Sequence, residues 1–280
     1  MALKYTLKIL LYIFIAFIFV VTLFPIAYAV LGSFKTSMEF ATGGTRLIPE
    51  VWQWQNYVNA WHNANFARYT WNSVFLSFWA IAGAIVVSSI PGYAFARGNF
   101  PGRKLMIGMF LATMFLTTGT VTLYPIFTIA RIVGLNQSIW GIVMIYVMTI
   151  NVTNVFLIMG FVKGLPKELD EAATIDGCGF FGIYWRIIMP LCRPILATIA
   201  LLTFRFAWND YLLPMVFTVT NEPHRPLIVG VLALRGGFGG AAAFDMMLAG
   251  TVISLIPVVL MYIITNRQFV SGMTAGAIKL

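Results

Sequence analysis

The chain has 280 residues, of which 60% are hydrophobic and 10% charged, and its mean hydropathy is +0.88. Soluble globular chains run at about 45–50% apolar and about 25% charged, so a soluble domain, a disordered chain, a collagen, a disulfide scaffold and a coiled coil are excluded in favour of a membrane-embedded protein. The formal charge of +9 comes from scattered Lys and Arg rather than from a cluster, so it reads as membrane topology and not as a nucleic-acid surface.

Crossing a hydrocarbon core of about 30 Å takes about 20 helical residues. Six segments qualify: 9–31, 71–96, 105–129, 139–162, 194–214 and 246–265. Lipid offers the backbone no hydrogen bonds, so each is predicted as a helix and the fold class as all-α, with six transmembrane helices. The first span follows Lys4 and Lys8 and is long enough to remain in the bilayer rather than be cleaved as a signal peptide. Loop 32–70 carries Trp52, Trp54, Tyr57 and Trp61, rings suited to the headgroup level or to stacking on a sugar. In the second span Gly83, Ser88, Ser89, Pro91 and Gly92 permit close helix contact and local bending.

With six spans both termini lie on one side. If that side is the cytoplasm, the inner segments 1–8, 97–104, 163–193 and 266–280 hold 11 Lys/Arg in 62 residues. The outer loops 32–70, 130–138 and 215–245 hold 6 in 79. Basic residues are thus about twice as dense inside, the direction expected of a multi-pass protein with cytoplasmic ends.

The inner loop 163–193 is the informative stretch. Pro166 suits a first helical turn, Glu168, Asp170 and Glu171 favour its positive end, and Gly177 is fit to end the helix in the left-handed conformation. Leu169, Ala172, Ala173 and Asp176 share one face. A second short helix carries Phe180, Phe181, Tyr184, Trp185 and Ile188, and Pro190 closes it. The predicted shape is a helix-turn-helix against the inner face of the membrane. It serves either as a solvated connector or as a docking site whose small-residue, carboxylate-flanked face admits a partner protein.

Asn151 in the fourth span and Arg205 in the fifth lie about 18 and about 15 Å from a span end, with Asn154 one turn beyond Asn151, Asn209 four residues after Arg205, and Trp208 and Asp210 beside it. An Arg or Asp facing lipid at that depth costs about 2.5–3.5 kcal/mol, so these groups are expected to face the bundle interior or water. Two readings stand: a translocation surface for sugar hydroxyls and ring faces, or interhelical hydrogen-bonding glue. Outside the spans, Arg235, Gly236, Gly237 and Phe238 belong to a Gly-rich outer segment, read as a connector or as a contact for an extracytoplasmic partner. Cys178 and Cys192 read as structural thiols, and His62 and His224 stand isolated, so no metal site is expected. No catalytic cluster and no G-x-x-x-x-G-K-[ST] phosphate loop occurs, so neither enzymatic activity nor a bound cofactor is expected. A gradient-driven secondary transporter is disfavoured, since Asp210 is the sole carboxylate predicted inside a span and no inverted repeat is evident.

Glu171-Ala172-Ala173, three residues, Gly177, nine residues, Ile187, one residue, Met189 and Pro190 resemble the EAA loop of ATP-binding-cassette importer permeases. Met189 stands where that family usually has leucine. Asn72-Ser73, Phe100-Pro-Gly-Arg-Lys104, Gly134-Leu-Asn136, Trp208-Asn209-Asp210 and the tail Ser271–Lys279 resemble the carbohydrate branch, and within it the MalG-type subunit. The resemblance implies a type I importer permease fold in a bacterial or archaeal cytoplasmic membrane. It divides the chain into a first helix and aromatic loop (1–70), a permease core (71–265) with its EAA loop (163–193), and a cytoplasmic tail (266–280). It implies four kinds of partner: a homologous MalF-type permease, a separate ATPase dimer that uses ATP and Mg, an extracytoplasmic sugar-binding protein, and the membrane lipid. The substrate implied is a di- or oligosaccharide; an importer for a non-sugar solute is the alternative. By the same resemblance Glu171, Ala172, Ala173, Asp176, Gly177, Ile187 and Pro190 form the ATPase-coupling element, Arg235–Phe238 probe the binding protein, and the tail reaches the ATPase.

Overall fold

A computed structural model describes residues 2–41, 46–63, 65–116, 119–149, 151–234 and 243–277. Among these residues every regular element is helical. In chain order they are α1 (Ala2–Gly32), α2 (Ser37–Ala41), α3 (Gln55–Asn63), α4 (Phe66–Arg97), α5 (Arg103–Met114), α6 (Leu123–Ile132), α7 (Ile139–Met148), α8 (Val152–Gly164), α9 (Glu168–Ile175), α10 (Phe180–Ile183), α11 (Met189–Leu191), α12 (Arg193–Asn209), α13 (Leu212–Thr218), α14 (Leu227–Ala233) and α15 (Phe244–Ala277). A 3-10 turn, Gly119–Thr122, precedes α6, and a π-turn, Tyr184–Ile188, joins α10 to α11.

Among the described residues three helices are long and apolar enough to cross a membrane: Tyr5–Gly32 of α1, α4, and Phe244–Thr265 of α15. They correspond to the first, second and sixth expected spans. Where the sequence predicts single helices for the other three segments, the described residues hold bent pairs: α5 and α6 bent by 115°, α7 and α8 by 45°, and Phe180–Leu191 with Arg193–Asn209 by 76°. The breaks have local causes. Gly119 takes φ +52, which a Cβ disfavours. Asn151 is the N-cap of α8, its Oδ1 accepting from the Thr153 amide at 3.1 Å, so this side chain competes with helix continuation. The 76° bend falls at Cys192, just before Pro194 in the first turn of α12, and Asp210, extended at ψ 118, ends α12. The π-turn precedes Pro190, which has no N–H to donate and crowds the carbonyl four residues back.

The chain divides into two compact units, Met1–Thr70 with Leu227–Ile256, and Trp71–Pro226 with Pro257–Leu280. In the first unit, residues 5–28 of α1 are exposed along their whole length, which for an apolar helix means a lipid or protein neighbour. The segment after α1 folds tightly on itself. Phe34 is buried with Trp52, Trp54 and Tyr57 around it at 5.1, 4.6 and 5.3 Å. Buried Lys35 donates to the Arg46 carbonyl, and Asn56 donates to the carbonyls of Ser33 and Lys35 at 2.9 and 2.8 Å. Glu39 accepts from the backbone amides of Glu50 and Thr36, each at 2.7 Å. The amide of Glu50 first, then that of Thr36, holds its carboxyl below the ordinary value of 4.5.

Among its described residues the second unit packs around two apolar clusters. Leu76, Ala80, Ile142, Val143, Ala207, Leu213 and Phe217 form one. Tyr93, Ile158, Val162, Ala173, Ile183, Tyr184, Ile188, Ile195 and Ile199 form the other. Helices α4 and α8 meet where Gly92 has no side chain: a Cβ there would stand 2.8 Å from Ile158 Cγ2 and 3.1 Å from the Val155 carbonyl.

Candidate functional site

Two places in the second unit carry chemistry. The first is the hairpin α9–α10. Glu168, Asp170 and Glu171 occupy the first turn of α9, where the helix dipole favours them. The helix stops at Gly177, whose φ of +80 is the left-handed geometry that lets the chain reverse. The hairpin then splits the expected coupling residues into two faces. Glu171, Ala172, Asp176, Gly177 and Pro190 are exposed, Ala173 is buried in the core cluster, and Ile187 is half-buried beside it. An outward carboxylate beside an alanine and a glycine leaves room for a neighbouring backbone, while Ala173 fixes the helix from beneath.

Two residues, Arg97 and Tyr93, hold the hairpin from below, and sequence reasoning does not single them out for this role. Arg97 Nε lies 2.9 Å from Asp170 Oδ2 as an ion pair, and Arg97 Nη2 donates to the Leu165 carbonyl at 2.8 Å. The Tyr93 hydroxyl reaches the other Asp170 oxygen at 3.5 Å. The available signal is the four-residue spacing of Ser89, Tyr93 and Arg97 along one stripe of α4.

The second place is a pair of adjoining recesses. One, of about 640 Å³, is walled by Ala80, Ala84, Ile126, Ile145 and Leu213 with Tyr146, Asn151, Asn154 and Asp210. The other, of about 710 Å³, is lined by Asn151, Thr153, Asn154, Leu202, Arg205, Phe206, Asn209 and Asp210. Five of the six expected pathway residues are thus brought together. Trp208 is not among them: it is 3% exposed and stacks on Phe204 at 5.3 Å.

Within this group Asp210 accepts from the Tyr146 hydroxyl at 2.8 Å, a partner that sequence reasoning misses because it lies 64 residues away. Asn209 donates to the Arg205 carbonyl at 2.8 Å. Asn154 is 2% exposed, and among the described residues its Nδ2 has no hydrogen-bond partner. A buried donor left unmatched is costly, and Asn154 borders both recesses. Phe206, largely exposed, offers a flat apolar face beside these polar groups. The recess thus combines an aromatic face with amide, carboxylate and guanidinium groups, hydrogen-bonding donors and acceptors of the kind a polyhydroxylated solute could use. Residues 235–238, expected to contact a binding protein, lie outside the described residues. Among the described residues no group of three His, Cys, Asp or Glu side chains is placed to hold a metal.

Residues 85–273 match the family described as binding-protein-dependent transport system inner membrane component. The chain is 31% identical to the arabinooligosaccharides transport system permease protein AraQ of Halalkalibacterium halodurans, covering 94% of each chain. It is 30% identical to the galactooligosaccharides transport system permease protein GanQ of Bacillus subtilis, covering 96% of this chain and 94% of that one. Its fold matches a chain in the crystal structure of a bacterial ABC transporter involved in the import of the acidic polysaccharide alginate, with a TM-score of 0.82, 23% identity and coverage of 95% and 97%.

Proposed function

The chain belongs to the family of binding-protein-dependent transport system inner membrane components, and from this premise we propose that it is a permease subunit of an ATP-driven importer of di- or oligosaccharides. As a permease subunit it is a transport component and not itself an enzyme. The observation that carries the reading is the α9–α10 hairpin: an exposed Glu171, Ala172, Asp176 and Gly177 face on a helix packed by Ala173. The oligosaccharide relatives supply the substrate class.

On this reading the three long helices, the bent pairs α5–α6 and α7–α8, and α12 form six spans, with both termini cytoplasmic. The hairpin docks a separate ATPase, which alone binds ATP and Mg. A homologous MalF-type permease supplies the other half of the pathway. An extracytoplasmic binding protein delivers the sugar on the side of residues 235–238, and the tail after Val270 adds a second ATPase contact. Closure of the ATPase pair on ATP tilts the hairpin and opens the pathway outward; hydrolysis and product release reset it. Asn151, Asn154, Arg205, Asn209 and Asp210 form this subunit's share of the polar pathway wall, and Phe206 its apolar face. The supporting feature is the Asn154 amide beside that ring, unpartnered among the described residues.

The test is co-purification of the tagged chain with its partners, followed by ATP-dependent uptake from a panel of mono- and oligosaccharides into vesicles. The proposal expects the ATPase to co-purify and at least one oligosaccharide to accumulate. An intact complex that accumulates only amino acids or ions overturns the substrate class.

A further inference from the structure

The hairpin is covalently joined to α8 and α12, but the second unit also clamps it to α4, which is remote in sequence. Arg97 is the last residue of α4, where the negative end of the helix favours a cation. Its side chain is 7% exposed and meets Asp170, itself 19% exposed, at 2.9 Å. The same guanidinium donates to the Leu165 carbonyl at 2.8 Å and the Pro166 carbonyl at 3.3 Å. One side chain therefore joins the end of α4, the end of α8 and the first turn of α9.

The clamp continues up the same stripe of α4. Tyr93, one turn before Arg97, touches the second Asp170 oxygen at 3.5 Å and packs its ring on Phe180 and Tyr184 of the hairpin's second arm, at 4.6 and 5.5 Å. Ser89, one turn earlier again, is hydrogen-bonded to the Tyr184 hydroxyl at 2.7 Å. Both arms are thus gripped by residues spaced four apart on one helix. Asp170 is held inward by this grip, while its neighbour Glu171 is exposed. Of these adjacent carboxylates, about 100° apart on the helix, Asp170 is half-buried against α4 and Glu171 is left exposed.

We propose that Arg97 is the positioning residue that transmits movement of the α9–α10 hairpin into α4, through its ion pair with Asp170 and its bonds to the Leu165 and Pro166 carbonyls. A buried, multiply bonded guanidinium suits this role because its fork holds three points in fixed geometry, which a lysine ammonium does less well. Without the clamp the hairpin is free to swing with the ATPase while α4 stays behind, so ATP is consumed without sugar movement. This inference rests on the importer reading and adds to it a route for the force.

The test uses the complete complex in vesicles, scored as sugar molecules imported per ATP hydrolysed, for Arg97→Gln, Arg97→Lys, Asp170→Asn and the Arg97→Gln/Asp170→Asn double variant. The wild type is measured first. If it fails to retain the ATPase or to import on ATP, the importer reading itself is wrong. Given a working wild type, the clamp predicts that Arg97→Gln and Asp170→Asn each lower the import-per-ATP ratio at least fivefold. The double variant should be no worse than the poorer single, because both singles break the same ion pair and Arg97→Gln already gives up the two carbonyl bonds. Arg97→Lys keeps the charge and the ion pair but loses the fork, so it should fall between the wild type and Arg97→Gln, and it reports on the clamp even if the Gln variant assembles poorly. Wild-type ratios in the single variants, multiplied losses in the double, or a loss in Arg97→Lys equal to that in Arg97→Gln would overturn the proposal.

Discussion

Tyr146→Phe removes one hydroxyl from the polar wall and leaves its packing in place. The Tyr146 ring stands edge-on to Phe206 at 5.7 Å, a contact that phenylalanine keeps. What disappears is the 2.8 Å bond to Asp210. Hydrogen bonds to charged groups contribute about 1.5–3 kcal/mol. Asp210 is half-buried and borders both recesses, so water replaces part of the lost bond and the lower end applies, about 1.5 kcal/mol or roughly tenfold in an unfolding equilibrium. Asp210→Asn leaves a neutral acceptor, with a bond about half as strong. The assay is reversible unfolding of the purified chain in mixed detergent, followed by tryptophan fluorescence, for both single variants and the double. Tyr146→Phe is expected to cost about 1.5 kcal/mol in the wild-type background and about half that in the Asp210→Asn background. A cost below about 0.3 kcal/mol in both backgrounds, within ordinary additivity error, refutes the reasoning.

Gly92→Val places side-chain atoms against Ile158 and the Val155 carbonyl, an overpacking worth about 1–3 kcal/mol that should cut the yield of folded protein. Gly108→Ala meets nothing within 4 Å and should leave yield unchanged or better, which expression in parallel checks. Glu171→Lys reverses the exposed charge of α9 and is expected to abolish ATPase co-purification; retention of the ATPase with transport intact contradicts the docking assignment. Glu39, with its carboxyl held below 4.5, stabilises the segment after α1 fully above that unfolded value and loses this contribution as pH falls through its lower folded value. Hydrogen exchange in residues 33–56 should therefore rise relative to the rest of the chain as pH falls below 4.5. Glu39→Gln should show no such pH step.

The spans most legible in the sequence are those with one cause, an unbroken apolar run long enough to cross lipid, as in α1, α4 and α15. Spans three to five are legible in content but not in shape. Asn151 reads from sequence as a polar side chain at depth, whereas in three dimensions it caps a helix, because its amide oxygen satisfies the Thr153 N–H that a continuous helix would have bonded. The hairpin is readable because its signals are local: Pro166, the three acids and Gly177 act within a few residues of themselves. Its attachment is not, since Arg97 and Asp170 are distant in sequence and Arg97 alone resembles any basic residue flanking a span. Similarly, the aromatic loop reads through its ring chemistry, while the fold around buried Lys35 depends on backbone carbonyls that no residue pattern announces. Trp208 shows the converse: its neighbours Asn209 and Asp210 reach the recess, but the indole turns into the packing.

The central claim is that this bundle moves sugar only when an attached ATPase hydrolyses ATP. Its most direct test is the initial rate of labelled oligosaccharide uptake into vesicles that carry the complete complex, compared between an active ATPase and a variant that binds but does not hydrolyse ATP. The account predicts that uptake with the inactive motor falls to the level of empty vesicles. Continued multiple-turnover uptake at the active rate would contradict it.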